Sequence, residues 1–345
     1  MSEQQKSLQQ IMDFRLEKLQ KLKDAGVNPY PHQFKPTHSS QEILGNYETL
    51  ENKTVVVAGR IMALRKMGKA SFTHIMDGAG RIQAYIRRDD IGEDQYNHFK
   101  LLDIGDFIGI EGYVFTTKMG EISIHADKIT VLAKSIRPLP VVKEKDGETF
   151  DAFSDKEQRY RNRHLDLIVN PEVRETFIKR TKIINAIRSY LDGRDFLEVE
   201  TPVLQPLYGG ANARPFVTHH NSLDQTFYLR IADELYLKRL IIGGFEKVYE
   251  IGKDFRNEGM DRSHNPEFTM LEYYEAYADY TDTMALIEDM IQTVAKGVDA
   301  TQITWGDMEI DLSKPFAKKP YFELLKEATG RDLSKASLEE PKTIF

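Results

Sequence analysis

No cysteine occurs in the 345 residues, which excludes a disulfide framework, a thiolate zinc site and a cysteine nucleophile together. No run approaches the roughly 18 apolar residues of a membrane-crossing helix, so no membrane partner is expected. The N-terminal MSEQQKSLQQ is polar and lacks the apolar core of a signal peptide, which predicts a cytoplasmic location. Also missing are a Walker loop, a Gly-x-Ser-x-Gly elbow, a His-Glu-x-x-His pair and the dinucleotide glycine fingerprint. Positive charge is not in excess either. The 47 Lys and Arg against 54 Asp and Glu leave a net charge of −7, which excludes a uniformly basic coat for polyanions. A local basic surface remains open. What is present is 41% hydrophobic and 29% charged residues, enough to build cores and to exclude disorder. The length suggests about two or three domains.

Along the chain the hydrophobic period changes twice. Leu8, Ile11, Met12, Leu16, Leu19 and Leu22 recur at helical spacing, and Gly26 stops that helix before the extended NPYPHQFKP. A single amphipathic helix of this kind packs on its neighbour. Residues 1–50 therefore read as a helix with an extended lead-in. From Thr54 the period becomes two, with five short strands punctuated by DGAG and KMG turns and one helical patch from Gly92 to Leu101. Five strands with a helix between the third and fourth fit an OB-type barrel over 51–135, although the pattern alone equally allows another small barrel. Prolines mixed with charge make 136–160 a linker. The remainder, 161–345, is α+β. Its reading is a helix from Pro171 to about Gly193, a strand FLEVETPVL ending near Pro202, a strand YLRI, a helix ADELYLKRLII, and two antiparallel strands, EKVYEIGKDFRNE and PEFTMLEYYEAY. A helix from Thr281, a hairpin around Trp305 and a helix from Tyr321 follow.

The strand pair is the chemically interesting element. Period two puts Arg256 and Glu258 on one face of the first strand, and Phe268, Met270, Glu272 and Tyr274 on one face of the second. One reading is a solvent-facing sheet with cross-strand ion pairs such as Arg256 with Glu272. The other is a binding surface, because the intervening GMDRSHNP carries Arg262, His264 and Asn265, all donors suited to phosphate oxygens. His219 and His220 are adjacent in a β-like run and should point to opposite faces, which argues against a shared metal.

The string FRNEGMDRSHNPEFTMLEYYEAY resembles motif 2 of the class II aminoacyl-tRNA synthetases, in the form carried by the lysyl-tRNA synthetase branch. TPVLQPLYGGANARPFVTHHNSLDQTFYLRIADELYLKRL resembles the stretch after motif 1 in that family, and the helix–strand unit ending at Pro202 resembles motif 1 itself. The resemblance implies an N-terminal OB-fold anticodon-binding domain and an antiparallel-sheet catalytic domain. It further implies a homodimer through motif 1. The family's motif 3 and its magnesium-holding acids are not found, so the catalytic domain is expected to be incomplete and those ligands to lie beyond Phe345. SLEEPKTIF likewise reads as the start of another segment.

The activity this resemblance implies is ATP-dependent activation of L-lysine, followed by transfer to the 3′ end of tRNA-Lys, with Mg2+ as the metal. It assigns Arg256 as the catalytic residue, between α-phosphate and carboxylate. Glu258, His264 and Phe268 join Arg256 around ATP. Gly210, Glu234, Arg256, Glu272 and Tyr274 surround the lysine, with Gly210 alternatively a plain turn glycine. In the barrel it assigns Arg65, Phe72, Gln83 and Glu121 to the anticodon, with Phe72 as barrel core the other reading. Two further readings stay open: a non-catalytic tRNA-binding dimer, and a related aspartyl or asparaginyl enzyme, whose pocket would need donors rather than acids.

Overall fold

The computed structural model describes residues 7–140, 143–145, 148–150, 153–261 and 263–334. Two compact units divide the chain, Met1–Asn170 and Pro171–Phe345.

The first unit opens with α1 (Leu8–Asp24), whose Ser7 and Gln10 form a reciprocal capping box. Leu22 is fully buried, and the Arg15 guanidinium donates to the carbonyls of Ile104 and Ser135 at 3.0 and 2.9 Å. The helix is thus fastened to the barrel, as its amphipathic pattern predicts. Short helices α2 (Ser40–Gly45) and α3 (Tyr47–Leu50) lead to β1 (Thr54–Met67), β2 (Ala70–Met76) and β3 (Arg81–Arg87). Helices α4 (Arg88–Ile91) and α5 (Glu93–Lys100) precede β4 (Phe107–Thr116) and β5 (Ile122–Ala133). The strands close a barrel in the order β1-β2-β3-β5-β4. Inward positions alternate along each strand and build one core from Val55, Ile75, Ile86, Ile110 and Ile124, sealed by Tyr96 and Phe99 of α5. In the stretch read as a linker, β6 (Lys143–Lys145) and β7 (Glu148–Phe150) pair as a short ribbon. Helices α6 (Lys156–Arg161) and α7 (Arg163–Val169) complete the unit.

The second unit begins with α8 (Pro171–Asp192). Sequence reading makes 196–204 one strand, but two separate pieces form: β8 (Leu197–Glu198) and β9 (Leu204–Gln205), in different sheets. The break has a physical cause. Pro202 cannot donate to a ladder, and the Thr201 hydroxyl and N–H turn instead to the Glu250 carboxylate, at 2.6 and 3.2 Å. β10 (Val217–His220) and β11 (Gln225–Leu229) form a hairpin, and α9 (Glu234–Ile242) follows. β12 (Lys247–Phe255) and β13 (Glu267–Glu275) pair antiparallel, with β8 parallel on the other side of β12. Then come α10 (Tyr280–Gly297), the hairpin β14 (Gln302–Trp305) and β15 (Met308–Asp311), and α11 (Tyr321–Thr329).

Strand alternation decides the two faces of the β12–β13 sheet. Tyr249, Ile251, Leu271 and Tyr273 pack against Tyr190 and Leu191 of α8 and Met290 and Val294 of α10. The even-numbered residues therefore emerge on the opposite face, the one that meets α9. Among the described residues no helix is long and apolar enough to cross a membrane.

Candidate functional site

The strand register settles what faces what. Glu272 stands opposite Glu250, Phe268 opposite Asp254 and Tyr274 opposite Val248. The Arg256–Glu272 cross-strand pair considered from sequence is therefore ruled out by register. Glu258 is not on a strand either. β12 ends at Phe255; the Arg256 N–H still reaches the Pro266 carbonyl, but the Asn257 N–H donates to the Arg214 carbonyl at 2.7 Å. The Arg214 N–H then donates to Glu258 at 3.2 Å. The chain leaves the ladder to pair with another loop.

That departure opens a pocket of about 260 Å³ lined by Arg256, Glu258, His264, Asn265 and Phe268. The Arg256 guanidinium lies 5.1 Å from the centre of the Phe268 ring, and its Nε and Nη2 donate to the Ile231 carbonyl. Asp261 orders the loop by accepting from the N–H groups of Ser263 and His264 and from the His264 ring. These contacts hold the Asp261 carboxyl below its usual range. Arg262, the third donor read from the loop, lies outside the described residues, as does SLEEPKTIF.

Deeper on the same face, Tyr274 donates to Glu272 at 3.3 Å, and the Asp233 N–H at the start of α9 donates to the other Glu272 oxygen at 3.2 Å. Burial, with the negative charges of Asp254 and Glu234, holds the Glu272 carboxyl above its ordinary value. Burial and the same two glutamates raise the Tyr274 phenol. Glu234 accepts from Lys238 at 2.6 Å. Gly210, at φ +88°, passes so close to α9 that a Cβ there would sit 2.8 Å from Glu234 Cβ. No other residue fits that conformation and that gap.

Behind Glu272 is a buried charge cluster that local sequence patterns do not reveal. Arg230, fully buried, makes ion pairs with Glu250 at 2.5 Å, Asp233 at 3.0 Å and Asp254 at 3.2 Å. Gly252 makes room for it, since a Cβ there would meet Arg230 Nη2 at 1.9 Å. One guanidinium carries less charge than these carboxylates plus Glu272, which favours protonation within the cluster. Burial first, and then the charge of Asp254, push the Asp233 carboxyl up to about 8 against the pull of Arg230. One oxygen from each of Asp233, Asp254 and Glu272 lies within 4.8 Å of the others. They do not suit Mg2+, which keeps waters and phosphate oxygens around it, whereas here a guanidinium already supplies the positive charge.

In the barrel, Arg65, Phe72, Gln83 and Glu121 all line one cleft of about 580 Å³. Gln83 Nε2 donates to Glu121 at 2.6 Å, and His74 Nε2 lies 2.9 Å from the other Glu121 oxygen. Phe72 points outward and stands apart from the barrel core.

Comparison with known proteins matches residues 155–342 to tRNA synthetases class II (D, K and N), and residues 55–132 to an OB-fold nucleic acid binding domain. The chain belongs to the class II tRNA synthetases of the D, K and N group. It is 53% identical to a lysine–tRNA ligase of Pelotomaculum thermopropionicum, over 96% of this chain and 64% of that protein. Against the lysine–tRNA ligases of Carboxydothermus hydrogenoformans and Clostridium acetobutylicum it is 53% and 51% identical, over 97% and 98% of this chain and 67% and 65% of theirs. The chain thus spans about two thirds of the length of the curated relatives it matches.

In this synthetase chain, Arg256, Glu258, His264 and Phe268 share one pocket. Gly210, Glu234, Glu272 and Tyr274 gather at the N-terminal end of α9, linked through its first residues. His219 and His220 stay exposed on β10, with His219 3.3 Å from Asp224. Sequence reading missed Arg230, Asp233, Glu250, Gly252 and Asp254. The signal available was period two itself, which puts 250, 252 and 254 on the face of Glu272 once the register is known.

Proposed function

We propose that this chain carries the amino-acid-activating and anticodon-reading parts of a lysine–tRNA ligase, with ATP, L-lysine and tRNA-Lys as substrates. The observation that carries the choice of lysine is the gathering of acids at the start of α9. Glu272 and Glu234 flank Tyr274 on a half-buried face, and a partly desolvated carboxylate favours a cation. An aspartate or asparagine side chain would meet repulsion or unpaired acceptors there.

In the reaction, a lysine carboxylate oxygen attacks the α-phosphorus of ATP, the bond to pyrophosphate breaks, and lysyl-adenylate forms. No enzyme nucleophile is required; positioning and charge stabilisation supply the rate. Arg256 offers a planar fork at the junction of the two anions, and Phe268 beside it offers a ring for adenine. Glu258 accepts from the adenine amino group, and His264 faces the outer phosphates. Mg2+ belongs with the triphosphate, where it would offset phosphate charge. A terminal ribose hydroxyl at the 3′ end of the tRNA then attacks the adenylate carbonyl, the bond to AMP breaks, and AMP leaves as the ester forms. A homodimer through α8 and β8 completes the proposal, supported by the exposed Phe177, Ile178 and Leu197 on that unit.

The test is calorimetric titration of the chain with L-lysine, run beside aspartate and asparagine. Binding of lysine alone supports the proposal; binding of aspartate or asparagine, or of none of the three, counts against it. For the barrel, Phe72→Ala is expected to weaken tRNA-Lys binding by about 1–3 kcal/mol, the worth of one base–aromatic stack, with unchanged melting. A large fall in melting temperature with intact affinity would make Phe72 a packing residue instead.

A further inference from the structure

The cluster behind Glu272 holds two acids that the proposed reaction does not use. Asp233 and Asp254 are both fully buried. Their carboxyl oxygens accept no hydrogen bond from a donor group, although Arg230 stands 3.0 Å from Asp233 and 3.2 Å from Asp254 as an ion-pair partner. That guanidinium is also engaged by the Glu250 carboxylate and, through Nε, by the Lys253 carbonyl at 2.9 Å. A proton between the two aspartates satisfies both, because the protonated carboxyl donates and the other accepts. Burial raises the Asp254 carboxyl, while Arg230 and a hydrogen bond from Asp233 pull against it. The charged and titratable groups around the pair are Arg230 before α9, Glu250 of β12, Arg256 beyond its end, and Glu272 and Tyr274 of β13. Glu234 of α9 adds its charge at Glu272 and is offset by Lys238. Glu272 is the outlet of the cluster. It accepts from the Asp233 N–H at 3.2 Å, and one oxygen from each of the three acids lies within 4.8 Å of the others.

We infer that Asp233 and Asp254 share a proton and tune lysine binding through Glu272, a lysine ammonium displacing that proton to solvent as it binds. The inference rests on the proposed reading of Glu272 as a partner of lysine. Charge balance is the reason. Without lysine, the proton supplies positive charge that Arg230 alone does not. A lysine ammonium beside Glu272 brings one positive charge to the same cluster and makes the proton dispensable. An opposite charge within about 4–6 Å stabilises an ionised carboxyl, so the proton leaves. A neutral side chain in that place brings no charge, and the proton stays. The exchange makes and breaks no bond of lysine. Asp233 and Asp254 are therefore positioning residues: fully buried, they act on lysine through Glu272.

The experiment is calorimetric titration with L-lysine between about pH 6 and 8, in buffers of different ionisation enthalpy, which counts the protons released per lysine bound. It compares the parent chain with Asp233→Asn and Asp254→Asn. An asparagine amide keeps the shape and donates to the remaining carboxylate, imitating the protonated partner, but it cannot ionise. The parent is expected to release up to about one proton per lysine near pH 7, its affinity rising by up to about tenfold per pH unit. Both variants should lose most of that release and most of the pH dependence, matching the parent near pH 6 and binding about tenfold more weakly near pH 8. Glu272 remains in all three proteins, so its own titration is common to them. Lysine binding without proton release in the parent, or equal release and parallel pH profiles in the variants, overturns the inference and leaves Glu272 as lysine's partner. No lysine binding at any pH overturns both readings. Should the variants melt early, the carboxyl carbon-13 resonances of aspartate in the parent decide. A protonated signal near pH 7 that ionises when lysine is added is expected; aspartate signals that lysine leaves unmoved overturn the inference.

Discussion

Replacing Glu272 with glutamine is expected to lower L-lysine affinity by about 10²-fold or more while leaving ATP affinity unchanged. Glu272 is held by the Asp233 N–H and the Tyr274 hydroxyl on a half-buried sheet face, so its partner ammonium would lose most of its water on binding. Removing one side of such a pair costs roughly 3–5 kcal/mol, because the other charge is left buried and unpaired. ATP should be indifferent, since its proposed ring and phosphate contacts, Phe268 and His264, belong to the separate pocket around Arg256. Calorimetric titration with lysine, and separately with ATP, measures both. Lysine affinity within a few-fold of the parent would refute the assignment. A pH series adds a check with a defined sign. Burial holds the Glu272 carboxyl above its ordinary value, so its charged form, and lysine affinity with it, should increase as pH rises from the acid side.

The second large effect concerns stability. Asp233 is fully buried, and its carboxyl is pushed up to about 8, first by burial and then by Asp254; Asp254 is itself raised by burial. An unfolded aspartate ionises near 4. Between about pH 4 and 8 the native state therefore holds a proton that the unfolded state has lost. Stability contributed by this neutral group is whole below pH 4 and is lost progressively as pH rises toward 8, by up to about 1.4 kcal/mol per unit. Asp233→Asn keeps the shape, leaves an oxygen for Arg230, and removes the proton from the balance. The variant should melt higher than the parent near pH 8, with a flatter stability profile between pH 5 and 8. Parallel melting profiles for the two proteins would show that Asp233 is ionised in the fold.

These two sites also mark where the amino-acid sequence stops being sufficient. Local patterns determined the strands and helices that carry the chemistry. Period two over Thr54–Lys134 predicted five strands with a helix between the third and fourth, and the closed barrel has them. The motif 2 string placed Phe268, Glu272 and Tyr274 on one strand face, which the register of β12 and β13 retains. Such features are legible because alternation and capping act over a few residues.

Tertiary structure alone decided the rest. The 196–204 stretch reads as one strand but is split, because Glu250, about 50 residues away, takes the backbone donor of Thr201. Glu258 reads as a strand residue but leaves the ladder for Arg214. The Arg230 cluster joins residues from a loop, the start of a helix and a strand; period two aligns Glu250 and Asp254, but only the tertiary fold brings Arg230 and Asp233 to them. The Tyr85 and His125 rings meet, 5.2 Å apart, only because β3 pairs with β5 rather than with β4. Alternation tells which way a side chain points. Which strand lies beside it, and in what register, is set by long-range burial of the core, and that choice brings these charges and rings together.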